Sequence, residues 1–299
     1  HLGLTMMRGF LEDLPFFTWV RTLAKASREV LTDADFLDAA MLGVAEGLAG
    51  GTTTYGDTEP GEAAFTAMLR LGVRGIAYRE VFGPDPEQCA ASLATLKDQI
   101  AAMRARATGR VRIGVSPHAP YSVSDALFRA VATWAKDEQL PVAIHIAEGA
   151  DEESLVSRAE GPWAEFLVGR GILVVPRGAN AVDVVRRAGL LRAHTLLIHC
   201  VRADAQAVHD IAGAGCGVAH CPASNARLGH GIAPLVEFLR AGARVGLGSD
   251  SVASNDRMDL LEEARLASHL QRARTGASDA VNARAAFRLA TLGGAEALH

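Results

Sequence analysis

The sequence contains few cysteines and few aromatic residues, its positive and negative charges nearly balance, and it has no long apolar run. Its 299 residues include four cysteines, 5% aromatics, 30 basic and 34 acidic side chains. So few cysteines in so long a chain do not predict a disulfide framework, and we expect a reducing, cytoplasmic location. The near balance of charge predicts neither nucleic acid nor an anionic membrane surface as a partner. Polar residues interrupt each apolar run before the roughly 20 residues that a membrane span needs.

Short β-branched segments alternate along the chain with longer amphipathic ones. The strand candidates are residues 51–57, 73–82, 111–116, 142–147, 195–200, 217–220 and 244–249, with an eighth that ends at His1, ahead of a loop over residues 3–13. Apolar residues recur at helical spacing in residues 39–48, 89–106, 125–136, 181–188, 203–214 and 260–274. Strands that alternate with helices predict a parallel sheet, and eight units of roughly 30 residues favour a closed (β/α)8 TIM barrel over an open sheet. We expect one α/β barrel domain over residues 1–299.

Polar residues gather at the carboxyl ends of these strand candidates. They are His1, Asp57, Glu80, His118, His145 with Glu148, His199, His220 and Asp250. One histidine at such a position is more often a packing residue, but five at one rim predict a shared site, because parallel barrels build their active sites there. Strand alternation predicts that His199 and Leu197 share one face and that Cys200 takes the other, and likewise for His220 and Cys221. If both histidines face the barrel mouth, both cysteines are structural and lie under the helices.

Histidines and carboxylates without a cysteine pair of metal spacing are typical of a catalytic divalent metal site. Zinc accepts nitrogen and oxygen ligands and leaves a position open for water, which then ionises near neutral pH. Glu148 follows the His145 strand closely enough to move protons there. Taken alone, Glu148 would be interpreted as a carboxylate at the start of a surface helix.

Five short segments carry a more specific pattern. They are residues 1–9 (HLGLTMMRG), 116–121 (SPHAPY), 145–148 (HIAE), 220–225 (HCPASN) and 247–255 (LGSDSVASN). Together, and in this order, they resemble the cytosine/adenosine deaminase and chlorohydrolase branch of the amidohydrolase superfamily. The resemblance covers essentially the whole chain and implies a metal-dependent hydrolase barrel.

The resemblance also implies roles for individual residues. His1 resembles the second histidine of a His-x-His metal pair, and His145 and Asp250 resemble the remaining metal ligands. Asp250 would also take a proton from the metal-bound water. Glu148 would protonate the ring nitrogen beside the attacked carbon and relay protons to the leaving amine. His199 would steady the hydroxide or the tetrahedral adduct.

Two departures from the family pattern affect the expected metal content. Binuclear relatives carry a bridging lysine on the strand that here leads to His118, so we expect one divalent metal, zinc first and iron second. The first histidine of His-x-His and the small β-sandwich that relatives build from both termini are missing from this chain. With His1, His145 and Asp250 alone, we expect low metal occupancy.

The resemblance implies a small-molecule substrate whose amino-bearing ring carbon is attacked by metal-bound hydroxide. Residues 78–83 (YREVFG) and 161–167 (GPWAEFL) favour 6-aminodeoxyfutalosine, a nucleoside of the adenine type. The alternatives are methylthioadenosine/S-adenosylhomocysteine deaminase and triazine, guanine or pterin hydrolases. An amide-ring hydrolase would need the bridging lysine or an alternative metal bridge, and neither is visible in the sequence. A catalytically defective binding module remains the non-enzyme alternative. The sequence leaves homo-oligomerisation open.

The expected substrate contacts are His118, His220, Glu80 and Arg227. For Arg227, a solvated loop charge is the competing interpretation. His230, which follows Gly229, is expected to be peripheral, with substrate contact as the alternative. Trp163 is expected to pack a helix on the barrel.

Overall fold

Seven parallel strands form one sheet in chain order in the computed structural model, which describes residues 1–299. They are β1 (Thr54–Glu59), β2 (Arg74–Val81), β3 (Val111–Pro117), β4 (Val142–Ile146), β5 (Thr195–His199), β6 (Gly217–His220) and β7 (Arg244–Leu247). Each strand pairs in parallel with the next one. The seven strand candidates and the parallel α/β class are therefore confirmed.

Helices connect the strands and cover the outer face of the sheet. They are α1 (Phe16–Glu29), α2 (Asp33–Ala49), α3 (Ala63–Leu71), α4 (Cys89–Arg104), α5 (Asp125–Asp137), α6 (Ala150–Arg158), α7 (Pro162–Val168), α8 (Ala181–Arg187), α9 (Ala205–Gly213), α10 (Pro222–Arg227), α11 (Leu235–Arg240), α12 (Val252–Asn255), α13 (Leu260–Thr275), α14 (Ala283–Arg288) and α15 (Gly294–Ala297). Leu2–Met7 and Pro86–Gln88 are 3-10 helices, and Leu289–Gly293 is a π-helix. None of these helices is long and apolar enough to cross a lipid bilayer.

The sheet curls so that His1 lies close to both of its edge strands, β1 and β7. Nδ1 of His1 lies 2.6 Å from the carbonyl oxygen of Thr58 on β1, and its Nε2 lies 3.6 Å from Oδ1 of Asp250, beyond β7. No hydrogen-bonded ladder joins β1 to β7, so the observed sheet has seven strands and is not closed. The candidate eighth strand at His1 does not pair, and the expected loop over residues 3–13 begins as the 3-10 helix Leu2–Met7.

Alternating residues of β2, β4 and β5 pack into two separate cores. On β4, Val142, Ile144 and Ile146 join the large cluster beneath the helices, whereas Ala143 belongs to a small inner cluster. His145 has the same parity as Ala143, so the pleat turns it to the inner face. Each large apolar side chain buried in this way contributes about 1.5–3 kcal/mol.

Helix α5 shows how the covering layer follows from sequence. Ser124 caps its start by accepting a hydrogen bond from the Leu127 amide. Leu127, Phe128 and Val131 are buried against the sheet, at the spacing expected for one face of a helix.

The amino-terminal end of the inner face is closed by the last turns of the chain. A Cβ atom at Gly246 on β7 would lie 2.5 Å from Cα of Gly294, so only glycine allows this approach. Ala297 joins the inner cluster nearby. The opposite, carboxyl-terminal mouth carries the polar residues.

Several helices lie outside the predicted set, notably α1, α3, α6 and α7. Phe16, Trp19, Val20 and Leu23 give α1 a helical apolar spacing that the sequence analysis did not use. The short helices α6 and α7 lie within one long β4–β5 connection and are only 9 and 7 residues long, too short for a clear period.

Candidate active site

Three histidines at the mouth use Nδ1 for a contact with a neighbouring oxygen atom and leave Nε2 for the site. Nδ1 of His1 donates to the Thr58 carbonyl at 2.6 Å, and Nδ1 of His145 lies 3.3 Å from the His118 carbonyl. Nδ1 of His199 donates to Oδ1 of Asn225 at 2.9 Å. Since each Nδ1 faces an oxygen acceptor, it carries the proton, and Nε2 keeps a free lone pair.

These lone pairs converge. Nε2 of His1 and Nε2 of His145 lie 3.2 Å apart, and the two rings stack with their centroids 5.1 Å apart. The ligand atoms of His145, His199 and Asp250 all lie within 4.8 Å of one another, as do those of His1, Glu80 and His145. The structure therefore brings His1, His145, His199 and Asp250 around one small region, in line with the shared site expected from the histidines at one rim.

Asp250 is oriented by hydroxyl groups behind it. Its Oδ2 accepts hydrogen bonds from Ser224 on α10 at 2.6 Å and from Ser254 on α12 at 3.1 Å. Its Oδ1, 3.6 Å from Nε2 of His1, is left for the site. Such hydrogen bonds to a ligating group fix its direction and raise metal affinity.

Glu148 is a buried carboxylate beside this cluster. Its Oε1 lies 3.5 Å from Nε2 of His199 and 3.4 Å from Nε2 of His230, and Tyr121 donates a hydrogen bond to Oε2 at 3.4 Å. Burial alone would raise the pKa of Glu148, but positive charge on the adjacent His199 and His230, when these imidazoles are protonated, lowers it below the usual range. Glu148 is therefore ionised near neutral pH.

The turn that carries Glu148 is held by a second glutamate. Oε2 of Glu152 accepts a hydrogen bond from the Glu148 amide at 2.7 Å, and Oε1 accepts one from the Ala147 amide at 3.1 Å. Burial raises the pKa of Glu152 to about 8, and the neighbouring charge of Glu148 adds to this. Glu152 thus fixes the backbone at the carboxyl end of β4. Both of its carboxylate oxygens are bound to these amides and do not face the histidines.

Burial keeps two of the site histidines neutral. It lowers the pKa of His145 well below the usual range, and the charges of His118 and His199 lower it further. Burial also lowers the pKa of His220 to about 4, with His199 adding to the effect. Neutral imidazole is the form that can bind a metal or accept a hydrogen bond.

Two of the predicted substrate contacts, Glu80 and His220, are buried with polar atoms left unpaired. Oε1 of Glu80 and both ring nitrogens of His220 have no hydrogen-bond partner. Leaving such atoms unpaired costs about 1–3 kcal/mol each. Unpaired polar atoms at the mouth of the sheet are the groups that a ligand would satisfy.

His118 and Arg227 have different surroundings. The His118 ring lies 4.9 Å from that of His145, and its Nδ1 is 2.7 Å from Oγ of Ser122, which itself donates to the Ala119 carbonyl. Since that hydroxyl proton is used, His118 donates through Nδ1 and keeps Nε2 as an acceptor.

Arg227 does not join the cluster. Its guanidinium pairs with Asp256 and with Glu12, the latter at 2.9 Å. The expectation that Arg227 contacts substrate is therefore not supported, because both of its terminal nitrogens are engaged by loop carboxylates. The competing interpretation as a loop charge describes it better.

The backbone is strained where the strands deliver these groups. Ala147, His199 and Asp250 have φ values of +49°, +74° and +54°, a region that costs a residue with a Cβ of order 1 kcal/mol or more. The prediction that His199 and Leu197 share one face was wrong. Leu197 lies in the outer core, whereas Leu196 and Ile198 lie in the inner one, and the left-handed backbone at His199 turns its side chain to the mouth.

Two consequences follow for the cysteine predictions. Cys200 is buried in the outer cluster, as predicted. Cys221 packs in the inner cluster with Ile76 and Tyr78, so its predicted outward position was wrong. The error arises because β6 ends at His220, and the alternation does not continue through the turn into α10.

The structure adds residues to the site that the sequence analysis did not place there. His230, expected to be peripheral, lies 3.4 Å from Glu148 and packs edge-on against Phe16 of α1, with ring centroids 4.6 Å apart. Ser224 and Asn225 lie inside the quoted 220–225 motif, so a signal for them was present. For Phe16, the only signal in the sequence was the helical spacing of apolar residues in α1, from which no site residue was predicted.

The donor set fits a divalent metal ion. Two imidazole nitrogens with free lone pairs face each other at 3.2 Å, which is unfavourable unless a cation or a proton lies between them. The adjacent Oδ1 of Asp250 adds a carboxylate oxygen, and no cysteine sulfur belongs to the group. Nitrogen and oxygen ligands with hydrogen-bonded outer atoms are typical of catalytic zinc sites.

The curled parallel α/β sheet and its histidine–carboxylate mouth are typical of metal-dependent hydrolases. The amidohydrolase family model matches residues 1–299. The chain belongs to the amidohydrolase family.

Curated relatives are similar over the whole chain. The 5-methylthioadenosine/S-adenosylhomocysteine deaminase of Carboxydothermus hydrogenoformans is 33% identical over 300 residues, which are 100% of this chain and 65% of the relative. The 5'-deoxyadenosine deaminase of Methanothermobacter thermautotrophicus is 30% identical, over 100% of this chain and 66% of its own length. The chain thus spans about two thirds of the length of these relatives.

Solved structures show the same fold. An adenosine deaminase from Xanthomonas campestris with bound zinc has a TM-score of 0.83 and 27% identity, covering 100% of this chain and 65% of that one. The Helicobacter pylori aminofutalosine deaminase has a TM-score of 0.86, with 100% and 72% coverage. At 20% identity, this second likeness concerns the fold alone.

Proposed function

We propose that residues 1–299 form the barrel domain of a metal-dependent aminohydrolase that deaminates an adenine nucleoside altered at the 5′ carbon. The observation that carries this proposal is the convergence of the His1, His145 and His199 Nε2 atoms beside Asp250 and the buried Glu148. The names of the relatives support an adenosine-type substrate. A closed barrel with an eighth strand between β1 and β7 is part of the proposal.

His1, His145 and Asp250 would hold the metal, with His199 adjacent to it. A divalent ion bound there, zinc first and iron second, supplies Lewis acidity that lowers the pKa of water toward neutrality. Asp250 would lie beside the water as its proton acceptor, and Ser224 and Ser254 hold its carboxylate in direction through Oδ2.

Glu148 moves the protons between water and substrate. Being ionised, Glu148 would accept one of the two water protons and deliver it to the ring nitrogen beside the attacked carbon. The second water proton, taken up by Asp250, would be relayed through Glu148 to the amino group, which leaves as ammonia while the carbon keeps the oxygen. Its carboxylate stays in place because His199, His230 and Tyr121 surround it. His199 and His230 can donate hydrogen bonds to the substrate side when protonated.

Burial of the site favours this chemistry. Glu148, His145 and His199 are each less than 5% exposed, so their charges act at low effective dielectric. Oε1 of Glu80, one ring nitrogen of His220 and Nε2 of His118 offer acceptors for the hydroxyls of a nucleoside, and the N–H of neutral His220 offers a donor for its ring nitrogens or oxygens.

Two substrate assignments within this class differ in their support. The relatives favour methylthioadenosine, S-adenosylhomocysteine or 5'-deoxyadenosine by their names. Residues 78–83 and 161–167 favour 6-aminodeoxyfutalosine through the sequence resemblance, and that stays a prediction. A small-molecule substrate and a cytoplasmic location are part of the same proposal.

Ammonia release from a panel of nucleosides tests the function. The zinc-loaded protein is offered these four compounds together with adenosine, guanine, cytosine, a pterin and an aminotriazine. We expect turnover of at least one 5′-altered adenine nucleoside with kcat/KM well above that for the free bases. Turnover restricted to the triazine or pterin would contradict the substrate class, and no turnover with bound zinc would favour a binding module.

A further inference from the structure

An arc of aromatic rings lines one side of the mouth. We define this aromatic arc as Phe82, His118, Tyr121, Phe16 and His230, whose successive ring centroids lie 4.8, 5.6, 6.1 and 4.6 Å apart. It begins just beyond β2, passes His145 and Glu148, and ends in the loop after α10. One end of the arc therefore lies at the reacting groups and the other at the outer edge.

Phe82 is the exposed end of the arc. Its side chain is 43% exposed, whereas Tyr121 is 5% exposed. Two ring-to-ring steps, 4.8 Å to His118 and 4.9 Å from there to His145, separate Phe82 from the metal-facing imidazole. Covering this exposed aromatic ring with an apolar group of a ligand removes apolar surface from water and so stabilises the complex.

The backbone around Phe82 is fixed. Tyr78 of β2 packs in the inner core, and Phe82 directly follows the last residue of this strand. The contact of its ring with His118, at 4.8 Å between centroids, places Phe82 at the mouth. On one side the His118 amide donates to the Val81 carbonyl at 3.3 Å. On the other side the Gly83 amide donates to Ser122, and the Gly83 carbonyl accepts from Ser124 at 2.8 Å. The ring is therefore presented by hydrogen-bonded chain on both sides.

We propose that Phe82 is a specificity-determining residue that packs against an apolar, preferably aromatic, substituent on the 5′ carbon of the substrate. This inference rests on the proposed function. The amino-bearing carbon of the base must lie near His145 and Glu148, so the ribose and its 5′ carbon extend outward. Phe82, the most exposed member of the arc, is at that outer end, and an aromatic face prefers apolar and aromatic partners to water.

The test compares Phe82→Ala and Phe82→Leu with wild type on adenosine, 5′-methylthioadenosine and 5′-phenylthioadenosine. Phe287→Ala on α14 is the matched control, since Phe287 is also exposed, at 61%, and lies on the helical layer. We expect Phe82→Ala to lower kcat/KM for the phenylthio compound about tenfold, mostly through KM, and to change adenosine less than about twofold. Phe82→Leu keeps apolar area but no ring, so it should fall between the two.

Equal losses on all three substrates, or no loss on the phenylthio compound, would overturn the inference. Absence of any turnover by the wild type would instead defeat the proposed function. In that event, calorimetric Kd values of 5′-phenylthioadenosine for wild type and Phe82→Ala decide the role of Phe82 separately. A ratio near one, or no binding to either protein, overturns it.

Discussion

Replacing Glu148 by glutamine removes a proton carrier and keeps the size of the side chain. Glu148 is 4% exposed, and its Oε1 lies 3.4–3.5 Å from two imidazole nitrogens, so little water can substitute for it. A positioned acid–base group contributes about 10²–10⁴ in rate. At about 1.36 kcal/mol for each factor of ten, Glu148→Gln should raise the activation barrier by about 3–5 kcal/mol.

The assay is steady-state ammonia release by the zinc-loaded protein, with the zinc content measured in parallel. The zinc content should equal that of the wild type, because Glu148 is not among the atoms that converge with Asp250. Glu153→Gln is the matched control, since Glu153 on α6 is 40% exposed and pairs with Arg202 at the surface; its kcat should stay within about twofold of wild type. A kcat for Glu148→Gln within threefold of wild type would refute the assigned role.

Three further results are expected. Ser224→Ala removes a 2.6 Å hydrogen bond to Oδ2 of Asp250, so zinc affinity measured against a competing chelator should fall about 10–100-fold; unchanged affinity would show that Asp250 does not bind metal. Because burial raises the pKa of Glu152 to about 8 from a usual 4.5, the folded state keeps a proton that the unfolded state loses, and the free energy of unfolding should decrease from pH 4.5 to 8. Glu152→Gln should flatten this slope in urea titrations, and an unaltered slope would mean that another group causes it. Arg227→Ala should leave kcat/KM within about twofold and cost about 1 kcal/mol of stability or less; a tenfold rise in KM would restore Arg227 as a substrate contact.

The fold was predictable where local rules persist through an element. His145 lies two residues beyond Ala143 on a strand that stays extended through Ile146, so alternation alone places it on the inner face. His199 reaches the same site by a left-handed backbone at φ +74°, which no period-2 rule contains. The same limit explains Cys221, which follows the last residue of β6.

The site was predictable where a residue ends a strand, and less so where tertiary contacts decide. Glu148 and Asp250 follow β4 and β7 closely, and their meeting follows from the parallel sheet. The pairing of Arg227 with Glu12 depends on a contact 215 residues apart in the chain, which one sequence does not reveal. His230 reaches Glu148 because Gly149 leaves room for it: a Cβ there would lie 2.7 Å from Nδ1 of His230.

The central claim is that His1, His145 and Asp250 form one metal site. X-ray absorption at the zinc edge of the zinc-loaded protein tests it directly. We predict a first shell of nitrogen and oxygen at about 2.0–2.1 Å with imidazole scattering, and loss of that shell in His145→Ala. A sulfur shell at about 2.3 Å, or an unchanged spectrum in His145→Ala, would contradict the account.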